Sequence, residues 1–162
     1  MNGPEQIKLR PVTTADDAFL LSVYASTRAE EMRQVPWSTE QKEMFLRMQY
    51  TAQKQHYAAM YPQASHDLIY VDETAVGRIY VDRDAERLNI LDITVLPEYR
   101  RRGTGEALLR RLMEEAGASG KAVTIYVESF NPSLRLFERL GFRKEREEGF
   151  HFVMKWQAQP GQ

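Results

Sequence analysis

The chain has 162 residues, 43% of them hydrophobic, no cysteine and a formal charge of −1. That length buries one core and leaves little material for a second; the missing cysteine excludes disulfides, thiolate metal sites and a cysteine nucleophile, and suits a reducing compartment. A near-neutral charge offers nucleic acid no global attraction, and no run of roughly eighteen apolar residues suggests a membrane span. We therefore expect a cytoplasmic protein with one domain at 7–157 and flexible ends at 1–6 and 158–162. No metal, nucleic-acid or membrane partner is expected.

Ile7 to Arg10 reads as a short strand, and Thr14 to Asp17 as a capping box ahead of Phe19, Leu20, Val23 and Tyr24, spaced for one helix face. After the break at Pro36-Trp37, Ser38 and Gln41 open a second helical region with Met44, Phe45, Met48 and Ala52 as its buried stripe, closed by Pro62. Strands are expected near 67–72, 75–82 and 87–95, joined at Asp72-Glu73 and Asp82-Arg83-Asp84. Leu108, Leu109, Leu112, Met113 and Ala116 then mark a helix that ends at Gly117 and Gly120. Lys121 to Glu128 alternates as a half-buried strand, Asn131-Pro132 opens a short helix ending at Leu140-Gly141, and strands at about 142–147 and 150–156 form a hairpin. The predicted order is β-α-α-β-β-β-α-β-α-β-β.

Between the fourth strand and the following helix stands "LPEYRRRGTGEALL", residues 96 to 109. The first N–H groups of a helix have no intrahelical partner, and the helix dipole adds positive charge there. Gly103 and Gly105 would let phosphates approach the main chain, and Arg100, Arg101 and Arg102 add charge, so a pyrophosphate is the expected guest. The alternative is a glycine loop with solvated arginines that only caps a helix. A P-loop would need Gly-Lys-Ser/Thr, and a dinucleotide fingerprint a small residue where Leu108 stands.

Arg100-Arg101-Arg102-Gly103-Thr104-Gly105 resembles the Arg/Gln-x-x-Gly-x-Gly/Ala signature of the GNAT superfamily of N-acetyltransferases, and "VESFNPSLRLFERLGF" resembles that superfamily's second motif. The resemblance runs from Leu9 to about Trp156 and is weakest over 25–66. It implies an α/β (α+β layered) GNAT fold: a central mixed, mostly antiparallel, seven-stranded sheet flanked by about four helices, with splayed fourth and fifth strands. It also implies acetyl-CoA (coenzyme A) as cofactor. Main-chain groups of Ile93, Thr94 and Val95 would take the pantetheine arm as a pseudo-strand. Arg100 to Gly105, Thr104 included, would seat the pyrophosphate, and Asn131, Ser133 and Phe137 would border the pantetheine.

Forming an amide from a thioester needs a neutral amine, a polarised carbonyl and a proton for the departing sulfur. The resemblance gives carbonyl polarisation to the Val95 N–H. Many superfamily members carry an acidic tyrosine where this chain has Phe137, and others a base carboxylate at positions equivalent to Asn89, Leu91 or Tyr126. Those groups are missing here, which leaves Tyr126, Glu128 and Asp92 as catalytic candidates beside a mechanism that relies on water and positioning. Glu30, Glu31, Trp37, His56 and Tyr80 are candidates to line a pocket for a cationic amine; each also has an ordinary solvated or packing role. The leading expectation is transfer of acetyl from acetyl-CoA to a primary amine of a small molecule or a protein, in a ternary complex. The alternative is an acyl-CoA-binding sensor module without turnover, which Phe137 favours. The terminal strands could pair or swap with a second copy to form a homodimer.

Overall fold

Capping side chains decide where the helices begin. In the computed structural model, which describes residues 6–158, Thr13 and Asp16 form a capping box that leads through a 3₁₀ turn into α1 (Asp17–Thr27). The box lies one residue before the expected pair, so Asp17 is released to accept bonds from the Tyr50 hydroxyl and the Lys54 ammonium, both at 3.0 Å. A five-residue helix follows, α2 (Ala29–Arg33), which the sequence reading had not separated. The Ser38–Gln41 capping box opens α3 (Thr39–Met60) as expected. Among the described residues there are thus five α-helices, two of them short, where about four were expected.

The buried face of α3 is rotated from the expected one. Met44 and Met48 are 66% and 65% exposed and Ala52 faces solvent, whereas Phe45, Leu46, Gln49, Tyr50, Gln53 and Tyr57 turn inward. Polar partners explain the rotation: Gln49 accepts from Tyr24, Gln53 from buried Arg78, and Tyr50 donates to Asp17. An inward face of tyrosine and glutamine is invisible to a search for the most apolar stripe.

The strands are β1 (Ile7–Pro11), β2 (Ser65–Val71), β3 (Thr74–Arg83), β4 (Arg87–Val95), β5 (Ala122–Glu128), β6 (Arg143–Glu148) and β7 (His151–Gln157). They form one seven-stranded sheet in the order β1-β2-β3-β4-β5-β7-β6. β4 and β5 are parallel because α4 (Thr104–Ser119) crosses between them; β1 with β2, β5 with β7 and β6 with β7 are antiparallel. β6 ends the sheet with six exposed residues, all charged, and a charged edge of that kind opposes edge-to-edge pairing with another copy. No helix among the described residues is long and apolar enough to cross a membrane. The expected flexible ends lie largely outside the described residues.

The residues group into two compact units. The first runs to Arg78 and takes in Thr94–Arg100. Its core is Leu20, Tyr24, Tyr50 and Leu68, with Val12, Phe19, Leu21, Leu46 and Tyr70 against it. The second holds Ile79–Ile93 and Arg101 onward. There α4 packs Leu108, Leu109, Leu112 and Ala116 toward β5 and β7, and Gly120 ends the helix in the left-handed region at φ 67°. α5 (Leu134–Arg139) follows β5, and Phe137 and Phe142 meet below it with centroids 5.9 Å apart.

Ion pairs make stability depend on pH in two windows. The Lys54 ammonium, with Tyr50, holds the Asp17 carboxyl below its usual 3.8, and the Arg87 guanidinium holds Glu145 below 4.5. Their contribution is present above those ordinary values and is lost as pH falls through the lowered ones. Burial, with the bond to Asp17 second, pushes Tyr50 from 10.0 up to about 12; that contribution is complete below pH 10 and is lost as pH rises toward 12. Melting temperature is expected to stay level from about pH 7 to 5 and to fall below about pH 4. Tyr50→Phe should flatten the alkaline loss and, because the Tyr50 hydroxyl also helps lower Asp17, lessen the acid one.

Candidate active site

In the first unit the end of β4 is shaped by a glycine opposite it. A Cβ on Gly77 would lie 2.0 Å from the Thr94 carbonyl oxygen and 3.0 Å from Val95 Cα, so only glycine lets β4 press this closely. Thr94 is buried and Val95 half-buried, and the Leu96 N–H donates to the Val76 carbonyl at 2.8 Å. Arg100, expected as a phosphate ligand, sends its Nε back to the Val95 carbonyl at 2.8 Å and braces the exit of β4. The expected acceptor residues of this unit are engaged locally. Glu30 pairs with Arg33 at 2.6 Å and Glu31 with Arg28 at 3.2 Å, so the acidic pair is already neutralised within and beside α2. Trp37, 41% exposed, stands edge-on to Phe45 at 5.1 Å, and His56 lies exposed on α3.

In the second unit the backbone twists sharply before α4. Arg101 has φ 65° and Gly103 φ 80°, both left-handed, and the helix starts at Thr104, which is buried. A Cβ on Gly103 or Gly105 would meet nothing within 4 Å, so both glycines border open space. A left-handed arginine costs about 1–2 kcal/mol, and strain of this kind gathers at ligand clamps. Glu106, in the first turn of α4, bonds Arg110 at 3.3 Å and Arg139 of α5 at 2.8 Å. That bridge ties the glycine turn to the helix that follows Asn131. The Asn131 side-chain oxygen accepts from the Ser133 N–H at 2.8 Å, and Ser133 is the N-cap residue of α5. The Asn131 amide is left to donate elsewhere. Phe137 is 4% exposed, its ring committed to the core beside Phe142 rather than presented to a ligand.

β4 and β5 pair in register from Arg87↔Ala122 to Ile90↔Ile125, and β4 runs on beyond that ladder to Val95. Within the ladder, Asn89 accepts from the Thr124 hydroxyl at 2.8 Å and donates to Asp84 at 2.9 Å, so it locks strands together. Asp92 and Ile93 are half-buried on β4, and Tyr80 is half-buried on β3. Tyr126, 48% exposed, stacks on His151 with centroids 4.5 Å apart and planes 6° from parallel. Glu128 lies directly across from His151 in the β5·β7 register. Sequence reasoning missed Gly77 and His151. An isolated glycine inside a strand pattern signals the first; nothing local signals the second, because it depends on register.

The sequence profile of the acetyltransferase (GNAT) family matches residues 24–142. The chain belongs to that family. Its members are acetyltransferases that use acetyl-CoA. The fold is shared with the PaiA N-acetyltransferase of Thermoplasma acidophilum, solved in complex with coenzyme A: 21% identity, TM-score 0.71, covering 94% of this chain and 99% of that one. A GNAT acetyltransferase from Elizabethkingia anophelis with acetyl-CoA bound gives 16% identity and TM-score 0.61, over 94% and 98% of the two chains. The ribosomal-protein-S18-alanine N-acetyltransferase of Escherichia coli gives 18% and 0.61, over 97% and 99%. A search of curated proteins finds no match.

Two substitutions probe this acetyltransferase from opposite sides. Gly77→Ala places a methyl against the Thr94 carbonyl and should cost about 1–3 kcal/mol of stability, with a several-fold loss of acetyl-CoA affinity by calorimetry. Arg101→Gly relieves the left-handed strain and should raise stability by about 0.5–1 kcal/mol while weakening acetyl-CoA binding. A variant more stable yet poorer at binding would mark the strain as functional.

Proposed function

We propose that this acetyltransferase moves the acetyl group of acetyl-CoA to a primary amine of a small molecule or a protein, by direct attack in a ternary complex. The observation that carries the reading is the turn Arg101–Gly105: left-handed backbone at Arg101 and Gly103, open space beside Gly103 and Gly105, and the unpartnered N–H groups at the start of α4. Such a nest suits a pyrophosphate, with Arg101 and Arg102 adding charge. Asn131, its amide left to donate, and Ser133 suit the pantetheine in the same unit. In the first unit, the main chain of Thr94 and Val95 suits the pantetheine arm and the Val95 N–H the thioester carbonyl. Ile93 belongs to the approach of that strand.

The chemistry follows from what acyl transfer demands. The amine nitrogen attacks the thioester carbon, the new oxyanion is held by main-chain N–H, and the C–S bond breaks to release CoA thiolate. Phe137 has no proton to give and is buried, so departure of sulfur does not use the tyrosine found at that position in many relatives. Tyr126, Glu128 and Asp92 remain our candidates for proton handling. Similarity to an enzyme named for a ribosomal-protein alanine supports a protein acceptor, and the PaiA enzyme stands beside it without choosing between acceptors. Because the family match crosses both compact units, we treat 7–157 as one catalytic domain, and we place it in the cytoplasm on composition.

Thermal unfolding with acetyl-CoA and with CoA tests the cofactor site. At roughly 100-fold over Kd a ligand adds about 2.7 kcal/mol, or roughly 5–11 °C for a chain of this size. Gly105→Glu should abolish the shift while leaving the unliganded melting temperature nearly unchanged, since a side chain there meets open space. No shift in the parent protein at millimolar acetyl-CoA would overturn the reading.

A further inference from the structure

Once the cofactor residues are assigned, the reaction still lacks a group to take the proton of a cationic amine. Phe137 is a buried phenyl, Asn89 is consumed by Thr124 and Asp84, and the next position on that face of β4 is Leu91. Beyond the ladder of β4 and β5, the face of the sheet that carries Tyr126 also carries Glu128 and, from β7, His151. Cross-strand partners share a face, so the row Glu128–His151–Glu148 runs over β5, β7 and β6 on one side of the sheet. The ring of His151 is held flat against the ring of Tyr126, and its strand is tied at this point by the Ser129 N–H donating to the Phe150 carbonyl at 2.7 Å.

We infer that His151 is the proton acceptor of the acetyl transfer, with the Tyr126 ring fixing its plane at the C-terminal end of β5. The inference rests on the acetyltransferase reading above and names the base that reading leaves open. Imidazole is the side-chain type that exchanges protons near neutral pH, and a tyrosine hydroxyl is not. The titratable and charged groups facing His151 are Tyr126 and Glu128 from β5 and Glu148 from β6, the last bonded to Arg146 at 2.8 Å. The alkylammonium gives one proton to the imidazole, directly or across one water. The neutral amine then forms the C–N bond as the C–S bond breaks, and the second proton on nitrogen passes to the CoA thiolate. Amide, CoA thiol and imidazolium result, and the imidazolium returns its proton to solvent. No oxidant or further reactant is needed.

The test uses the full chain with acetyl-CoA and two probe acceptors, 2-phenylethylamine and water, following CoA thiol release from pH 6 to 9. His151→Gln is expected to lower kcat/KM about 100-fold, to remove the acid limb of the pH–rate profile, and to leave the acetyl-CoA melting shift intact. Added imidazole should restore part of the rate in His151→Gln and none in Gly105→Glu. If His151→Gln binds acetyl-CoA and turns over with the parent rate and profile, the inference is overturned and the acetyltransferase reading stands. If the parent protein shows an acetyl-CoA shift but releases no thiol above the buffer blank with either acceptor, the base assignment is overturned. No acetyl-CoA shift in the parent protein overturns the cofactor reading and the inference with it.

Discussion

A helix cannot satisfy its own first N–H groups, and the proposed cofactor seat at the start of α4 depends on that deficit. The approach is costly: Arg101 sits at φ 65°, where a side chain is strained, before Gly103 at φ 80°. Thr104, first in the helix, is buried, and Gly103 supplies the carbonyl that accepts from the Ala107 N–H at 2.9 Å. The turn is anchored on its inner side and open on its outer side. Glu106 extends the anchor, because its two bonds couple the first turn of α4 to Arg139 and so to the segment shaped by Asn131 and Ser133. The turn before α4 and the Asn131–Ser133 segment are thus linked within one unit through one carboxylate.

A second close approach does comparable work in the other unit. The end of β4 occupies space that any side chain at position 77 would need. Arg100 then fastens the carbonyl of Val95 from the far side. A motif arginine with obvious charge thus works through its reach and its hydrogen bond to the main chain. Charge type alone does not tell a ligand contact from a brace; the direction of the donor does.

The contrast between what could and could not be read from the sequence has the same origin. Glycine spacing before an apolar helical period, an Asn-Pro turn and the Ser38–Gln41 box are local signals, and the elements they announce are where they were expected. The inward face of α3 was misjudged because Tyr50, Gln49 and Gln53 are drawn in by partners far along the chain: Asp17, Tyr24 and Arg78. α2 escaped notice because five residues are too few to show a period. Glu30 and Glu31 looked like an acceptor pair only while Arg28 and Arg33 were ignored, although both lie within one helical turn of their partners and could have been weighed from spacing.

Cofactor recognition as proposed is main-chain chemistry, and main-chain chemistry leaves a mark in sequence because glycine and proline are needed wherever the backbone is unusual. Proton transfer is side-chain chemistry assembled across strands. Tyr126, Glu128 and His151 come from β5 and β7, separated by α5 and a whole hairpin strand, and only the antiparallel register brings Glu128 opposite His151. Moving β7 by one residue would carry His151 to the opposite face, away from Tyr126. The buried residues Ile125, Val127 and Met154, on the face opposite Tyr126 and His151, help set that register by fixing which faces of β5 and β7 are inside. Packing of apolar residues on one side of the hairpin therefore bears on which polar groups meet on the other.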